Sequence, residues 1–205
     1  MHRTRLTCAF AILALAPLAT WAVPDGPMPS RNAPETSQDP KTIARNNYNA
    51  GHEAVQSVAK LEAEAASMPA MASQYRDSIR ANLEKARESF RKAVAADAQM
   101  KEGWNMLGFT SRKLGQYEES LTAYEKALAL APDYPEAIEY RAELFLLTGR
   151  LAQTRESYAR LLKLEPSYAG TLKTSMQDFL KANKAFPASV SQKEREEFAA
   201  WVASL

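Results

Sequence analysis

The side chains that most often carry catalysis are scarce in this chain of 205 residues, which has two histidines and one cysteine. His2 and Cys8 both lie in an N-terminal segment that we expect to be removed from the mature protein. A Ser-His-Asp triad or a Cys-His pair needs an imidazole as its base. Such a site would therefore have to be built on His52 alone.

The segment around His52 superficially resembles the helix of a zinc protease, because it reads His52-Glu53-Ala54-Val55-Gln56. Zinc proteases carry a second histidine one turn after the first, and here Gln56 takes that position. The seven glycines are scattered singly and cannot form a phosphate-binding loop. We therefore expect neither a metal nor a cofactor.

Carboxylates are abundant, as in Glu118-Glu119 and in the group Glu194, Glu196 and Glu197. Two carboxylates can carry hydrolysis when a cleft holds them at a suitable distance. Nothing in the sequence places two of them in a cleft, and exposed helical positions explain them as solvated surface. The sequence therefore predicts a protein that is not an enzyme.

The charge is nearly balanced, with 26 Lys and Arg residues against 24 Asp and Glu residues. Arg3 and Arg5 lie in the segment that we expect to be removed, and their loss leaves a neutral mature chain. Non-specific binding to nucleic acid needs a clustered basic surface. We therefore expect no nucleic-acid partner.

Residues 1–22 follow the pattern of a secretory signal peptide. A basic start, Met1–Arg5, is followed by the apolar run Leu6–Leu18, and Thr20-Trp21-Ala22 offers small residues for cleavage. The run is shorter than the ~20 residues of a membrane-spanning helix, although an uncleaved anchor stays the alternative. The leader resembles a bacterial one, so we expect export to the periplasm or the cell exterior and no transmembrane segment afterwards.

The mature chain divides into a short linker and a long helical domain. Residues 23–40 hold five of the 11 prolines and almost no apolar residue, which is typical of a flexible linker. In residues 41–205, Ile138 is the only Val or Ile between Ala95 and Ser189. A β-sheet core needs many such residues, so we predict an all-α domain.

An internal repeat organises this domain. A shift of 34 residues aligns residues 101–134 with residues 135–168. The aligned pairs are Trp104 with Ile138, Gly108 with Ala142, Leu114-Gly115 with Thr148-Gly149, Tyr124 with Tyr158, Leu128 with Leu162, Leu130 with Leu164 and Pro132 with Pro166. A chance helical hairpin shares a hydrophobic period but not so many matched positions. The glycines at the turn suit helix ends.

The spacing of Trp104, Leu107, Gly108, Tyr124 and Pro132 resembles the tetratricopeptide repeat. The resemblance implies a right-handed superhelix of antiparallel helix pairs whose function is to bind other proteins. Two positions depart from the pattern: Ser111 stands where an aromatic residue is usual, and Arg141 replaces a leucine of the first helix.

The flanking segments fit the same scheme less closely. In residues 41–100, Gly51 and Phe90 correspond to Gly108 and Tyr124 but lie 39 residues apart instead of 16. The 23 additional residues predict an elongated first hairpin that extends by about 17 Å and could pair with a second copy of the chain. Residues 169–205 are expected to cap the stack, with a capping box at Ser191 and Glu194. A partner-binding amphipathic tail is the alternative for the last helix.

The resemblance also implies a concave groove lined by the first helix of each unit. We call the following nine residues the candidate groove: Arg45, Tyr48, His52, Asn105, Phe109, Arg112, Glu136, Glu139 and Glu143. Lys173 and Gln177 extend it into the cap. Phe109 occupies an asparagine position of the clamp with which some relatives hold a terminal carboxylate, so that clamp is absent. We expect aromatic and basic groups at one end and three carboxylates at the other, although an ordinary solvated helix face has the same pattern.

Three functions remain open at this point. The first is a non-enzymatic exported module that binds a protein or peptide partner through its repeat surface. The second is a structural module that self-associates through the elongated hairpin. The third is an accessory subunit of a cell-envelope assembly, held by the proline-rich arm.

Overall fold

The computed structural model describes residues 39–182 and 186–205, which form eight α-helices and contain no strand. The helices are α1 Pro40–Ser67, α2 Ala72–Ala96, α3 Lys101–Lys113, α4 Tyr117–Leu130, α5 Pro135–Leu147, α6 Leu151–Leu164, α7 Pro166–Lys181 and α8 Gln192–Ser204. The all-α prediction is confirmed. The predicted signal peptide and all but the last two residues of the predicted linker lie outside the described residues, and α1 already begins at Pro40.

Consecutive helices pair and then stack on the next pair. The pairs are α1 with α2, α3 with α4 and α5 with α6, while α2 contacts α3, α4 contacts α5 and α6 contacts α7. Gly115 and Gly149 have φ angles of 77° and 75° at the turns inside two pairs. Glycine adopts this left-handed conformation without a steric penalty, so it ends the first helix of each unit.

The glycine in the middle of α3 allows the two helices of its unit to come close. A Cβ atom at Gly108 would lie 2.6 Å from ring carbons of Tyr124, which is fully buried on α4. The first hairpin repeats this contact, because a Cβ atom at Gly51 would lie 2.7 Å from the ring of Phe90. The correspondence between these two pairs, predicted from the sequence, is therefore confirmed.

The first hairpin is longer than the others, as predicted. Helices α1 and α2 have 28 and 25 residues, whereas α3 and α4 have 13 and 14. When the glycine–aromatic pairs are aligned, each long helix extends 11 residues further than its counterpart on the side of the turn that joins the pair, about 16 Å at the helical rise. Glu62 on this extension forms an ion pair of 2.7 Å with Lys113 at the end of α3. No helix in residues 39–182 and 186–205 is long and apolar enough to cross a membrane.

The last helix covers the end of the stack. Phe198 and Val202 on α8 are 0% and 2% exposed and belong to the main apolar core. The ring of Trp201 meets Tyr158 edge to face at 5.7 Å, and Arg155 donates to the carbonyl oxygen of Glu197 at 3.0 Å. The capping box at Ser191 and Glu194 is present. These contacts favour the capping interpretation of α8 over that of a free tail.

Candidate binding groove

The groove residues of α3 face the next unit. Asn105, Phe109 and Arg112 follow the i, i+4, i+7 spacing of one helix face. The ring centroid of Phe109 lies 5.2 Å from that of Tyr140 on α5. The guanidinium carbon of Arg112 lies 5.7 Å from the Phe109 centroid and 5.8 Å from the Tyr140 centroid. This face of α3 therefore packs beside the face of α5 that carries the predicted carboxylates.

The groove charges are not separated as the sequence suggested. Arg112 forms an ion pair with Glu143, and their side chains are only 10% and 20% exposed. The Ser175 hydroxyl on α7 donates to the same carboxylate, and Arg112 donates to the Tyr124 hydroxyl at 3.4 Å. Basic and acidic groups that we expected at opposite ends therefore neutralise each other in the middle, because α3 and α5 lie side by side.

This ion pair holds Arg112 in its charged form. Burial by itself lowers the pKa of Arg112, but the carboxylate of Glu143 and the hydroxyl of Tyr124 outweigh it and raise the pKa above its ordinary value. Burial also raises the pKa of Tyr124 to about 12, although Arg112 opposes that shift. The Tyr124 phenol is therefore neutral at physiological pH. Together with the Ser175 hydroxyl, the Arg112–Glu143 ion pair links helices α3, α5 and α7.

Glu139 is the most unusual carboxylate of the groove. Glu139 is 1% exposed, and its Oε1 atom has no hydrogen-bond partner within the described part of the chain. Burial, followed by the neighbouring carboxylate of Glu143, raises its pKa well above the ordinary value, and Arg112 only partly offsets this effect. The interpretation of a solvated helix face therefore does not describe this position.

Asn105, on the neighbouring helix α3, is a second buried polar residue of the groove. It is also 1% exposed, and neither the oxygen nor the nitrogen of its amide has a partner among the described residues. Asn105 and Glu139 occupy the same position of consecutive repeats, 34 residues apart. A buried polar group left unpaired costs about 1–3 kcal/mol. The groove therefore contains three buried polar atoms whose hydrogen bonds are unfilled by the described protein atoms.

The first hairpin contributes an aromatic edge. Tyr48 lies 6.2 Å from the ring of His52 and meets Phe90 edge to face at 5.6 Å. The His52 Nδ1 atom lies 3.3 Å from the Gln56 side-chain nitrogen. Burial, together with the carboxylates of Glu136 and Glu102, raises the pKa of Tyr48 to about 12. Tyr48 therefore faces the same space as the later units, whereas Arg45 is exposed.

Glu136 marks the other edge of the groove and is half-buried. Its Oε2 atom accepts a hydrogen bond of 2.8 Å from the Tyr134 hydroxyl, and Lys101 lies 4.8 Å above the Tyr134 ring. Burial is the main reason that the pKa of Tyr134 lies above its ordinary value, and the Glu136 carboxylate adds to it. Lys173 and Gln177 on α7 are half-buried.

Four groove residues were missed by the sequence analysis. They are Tyr134, Tyr140, Tyr168 and Ser175. Two signals were available: Tyr134 and Tyr168 are one repeat apart, and Tyr140 follows Glu136 by one helical turn. The role of Ser175 had no such signal, because it depends on which carboxylate α7 meets.

The arrangement offers binding chemistry. No group of three His, Cys, Asp or Glu side chains that could hold a metal occurs in the described ranges. What the groove does offer is aromatic surface at Tyr48 and Phe109, unfilled hydrogen bonds at Asn105 and Glu139, and a half-buried carboxylate at Glu136. These features suit a bound polypeptide segment, which has both apolar and polar groups to place.

Comparison with known proteins agrees with this architecture. Residues 101–134 match the family model described as Tetratricopeptide repeat. No curated protein matches the chain. The matched segment comprises α3, α4 and the turn before α5, and the glycine–aromatic contact within it recurs in the first hairpin. Residues 101–134 are therefore a tetratricopeptide repeat, within a chain whose described residues form stacked helix pairs.

Proposed function

We propose that this protein is a non-enzymatic interaction module that binds a segment of a protein partner in the candidate groove. The observation that carries the proposal is the burial of Asn105 and Glu139 with polar atoms that have no hydrogen-bond partner among the described residues. Polar groups inside proteins are normally paired, because desolvation without compensation is unfavourable. A bound segment would supply the missing partners.

Two aromatic side chains would provide most of the binding energy. Tyr48 and Phe109 are half-buried and so retain part of their accessible surface. Aromatic anchors dominate protein interfaces, whereas charges at the rim chiefly govern specificity and association rate. Phe109→Ala is therefore expected to weaken a partner by more than about 1 kcal/mol.

A comparative capture experiment tests the groove. The parent protein, Glu136→Lys, Phe109→Ala and Glu88→Lys are each immobilised and exposed to a cell-envelope extract, and the bound proteins are quantified by mass spectrometry. Glu88 lies exposed on α2, a second helix of its pair, so its reversal makes the same charge change elsewhere. A partner of the groove is retained by the parent and Glu88→Lys and lost from Glu136→Lys.

The opposite result is equally clear. If every protein that the parent retains is also retained by Glu136→Lys and by Phe109→Ala, both folded by circular dichroism, the groove is not the working surface. A protein that is retained by the parent and Glu88→Lys but lost from Glu136→Lys is then purified. Its titration against the parent and each variant gives the affinities.

Self-association through the elongated hairpin is the second candidate. Met68 and Met71, beside the turn between α1 and α2, are 41% and 44% exposed. Exposed apolar side chains at the end of a projection are suited to a contact with another chain. Light scattering of the mature protein separates the two functions, because a monomer at high concentration contradicts self-association.

We further propose that the protein acts after export, in the periplasm or outside the cell, where it would serve as a subunit or adaptor of an envelope assembly. The basic and apolar composition of residues 1–22 supports this location. Intact-mass measurement of the protein recovered from that compartment is expected to give a chain that begins near Val23. Retention of Trp21 would contradict the cleavage site.

A further inference from the structure

Within the described part of the chain, Glu139 forms no ion pair of its own. Arg112 is the cation that lowers the pKa of Glu139, and it is already engaged by Glu143 and by the Tyr124 hydroxyl. Glu136, another carboxylate near Glu139, accepts a hydrogen bond from the Tyr134 hydroxyl, which carries no charge. Buried carboxylates in proteins are normally paired with a cation or neutralised by protonation. Glu139, which Arg112 offsets only in part, would therefore be stabilised in its charged form by a cation from a partner.

Asn105 supplies a second, independent observation at the same place. Its amide is buried on α3 without a partner in the described part of the chain. The residues at i+4 and i+7 from it, Phe109 and Arg112, both contact α5. The same helical face therefore directs Asn105 toward α5, where Glu139 is its counterpart one repeat later. Its Oδ1 atom is an acceptor and its Nδ2 atom a donor of two hydrogen bonds.

We propose that Asn105 and Glu139, with Glu136 at the rim, form a subsite for the ammonium group of a lysine side chain of the bound partner. This inference rests on the proposed function and adds the chemical class of the partner segment, which is basic. The ammonium has three donors, and the three residues supply oxygens for them. The Nδ2 atom of Asn105 then donates to a carbonyl oxygen of the same segment.

The size and charge of the subsite favour lysine over other groups. Asn105 and Glu139 are both 1% exposed, so an incoming group must displace side chains at the rim, and a slender chain with a compact ammonium displaces less than a planar guanidinium. A carboxylate or phosphate would meet Glu136, Glu139 and Glu143 with like charge. Tyr140 and Tyr168 lie close enough to Glu139 to be affected by its charge, and their rings would lie beside the methylene groups of the lysine.

Occupation of this subsite is coupled to the ionisation of Glu139. The groups that face its carboxyl are Glu136, Tyr140 and Glu143 on α5, Arg112 on α3 and Tyr168 on α7. Burial raises the pKa of Tyr140 and Tyr168 above the ordinary value, so both phenols are neutral when the lysine binds. A bound ammonium lowers the pKa of Glu139. The affinity of the subsite for lysine therefore rises with pH until the Glu139 carboxyl is ionised in the free protein.

A peptide titration tests the inference. The probes are two capped five-residue peptides of alanine with one central residue, which is lysine in one peptide and Nε-acetyl-lysine in the other. Binding is followed by NMR through the backbone amide signals of α3 and α5, which are present in every variant, and in the parent also through the side-chain amide signals of Asn105. We expect the lysine peptide to shift these signals with millimolar affinity and the acetylated peptide to leave them unchanged at about 10 mM.

Variants assign the effect to the two buried residues. Asn105→Leu and Glu139→Gln are each expected to weaken the lysine peptide about tenfold, because each removes a buried hydrogen bond to a charged group. Glu88→Gln, the same chemical change at an exposed position of α2, leaves the affinity unchanged. The rise of affinity with pH is expected in the parent and absent in Glu139→Gln, which a purely structural role would not produce.

The failure of this inference is distinguishable from that of the proposed function. If both peptides bind equally, or neither binds at about 10 mM, the subsite does not recognise an ammonium. The groove function then still stands provided that Glu136→Lys loses a partner in the capture experiment. If Glu136→Lys and Phe109→Ala also retain every partner, the groove function itself is wrong.

Discussion

Replacement of Gly108 by alanine tests the close contact that defines the repeat. A methyl group at this position would lie 2.6 Å from two ring carbons of Tyr124 and 2.9 Å from a third. Carbon atoms in favourable contact are about 3.5–4.0 Å apart, so the ring has to move by about 1 Å. Tyr124 is fully buried and accepts a hydrogen bond from Arg112. The ring therefore cannot move without disturbing the groove.

The expected magnitude follows from two opposing terms. Alanine is favoured over glycine in a helix interior by about 1 kcal/mol. Overpacking of a well-filled core costs about 1–3 kcal/mol, and the upper part of this range applies because the obstacle is a buried ring. We expect Gly108→Ala to lower the free energy of unfolding by about 1–2 kcal/mol. Gly51→Ala, which meets Phe90 at 2.7 Å, is expected to behave alike.

Gly170→Ala is the matched control. Gly170 lies in α7, and a methyl group there would meet no other part of the described chain within 4 Å. Only the helical preference then acts, so stability is expected to rise by about 0.5–1 kcal/mol. The three variants and the parent are compared by urea denaturation, with midpoints compared at unchanged slope. If Gly108→Ala and Gly51→Ala are as stable as Gly170→Ala, the glycine–aromatic contact does not set the spacing of the helices.

Three further predictions concern the groove, the core and the hairpin. Burial raises the pKa of Glu139 above 4.5, so the folded protein binds the proton of this carboxyl more tightly than the unfolded chain does. The parent therefore loses stability as the pH rises from about 4.5 through the raised pKa. Glu139→Gln is therefore expected to gain stability relative to the parent across that window, and a pH-independent difference between denaturation midpoints would contradict the burial argument. Trp104 packs against two apolar clusters and donates to the Ala98 carbonyl oxygen at 2.9 Å. Trp104→Ala is therefore expected to lower the free energy of unfolding by about 3–5 kcal/mol. A loss below about 1 kcal/mol in the same assay would show that Trp104 does not join neighbouring units. Replacement of Ala63–Gln74 by a short turn keeps Glu62 and its ion pair with Lys113. The shortened protein is expected to remain folded and helical by circular dichroism. Global unfolding would show that the extension is part of the core.

The repeat architecture could be predicted from local patterns. The contact of Gly108 with Tyr124 and that of Gly51 with Phe90 were readable because a small residue must face a large one where two helices cross closely. The turn glycines Gly115 and Gly149 have a conformation that few other residues adopt. These features depend on neighbours within one helix pair, so the order of residues suffices to identify them.

The chemistry of the groove depended on neighbours that the sequence does not specify. Register placed Asn105 and Glu139 on the correct helix faces, but only the stacking of α3, α5 and α7 buries them. The pattern of charges likewise did not reveal that Arg112 would meet Glu143, or that Ser175 would donate to the same carboxylate. Each of these contacts joins residues 31 or 32 positions apart. The sequence by itself thus determined the helices, their pairing and the face that each residue occupies, because these follow from local periodicity. Only the tertiary structure decided which charges pair and which polar atoms stay buried without a partner, because that depends on the distance between stacked helices.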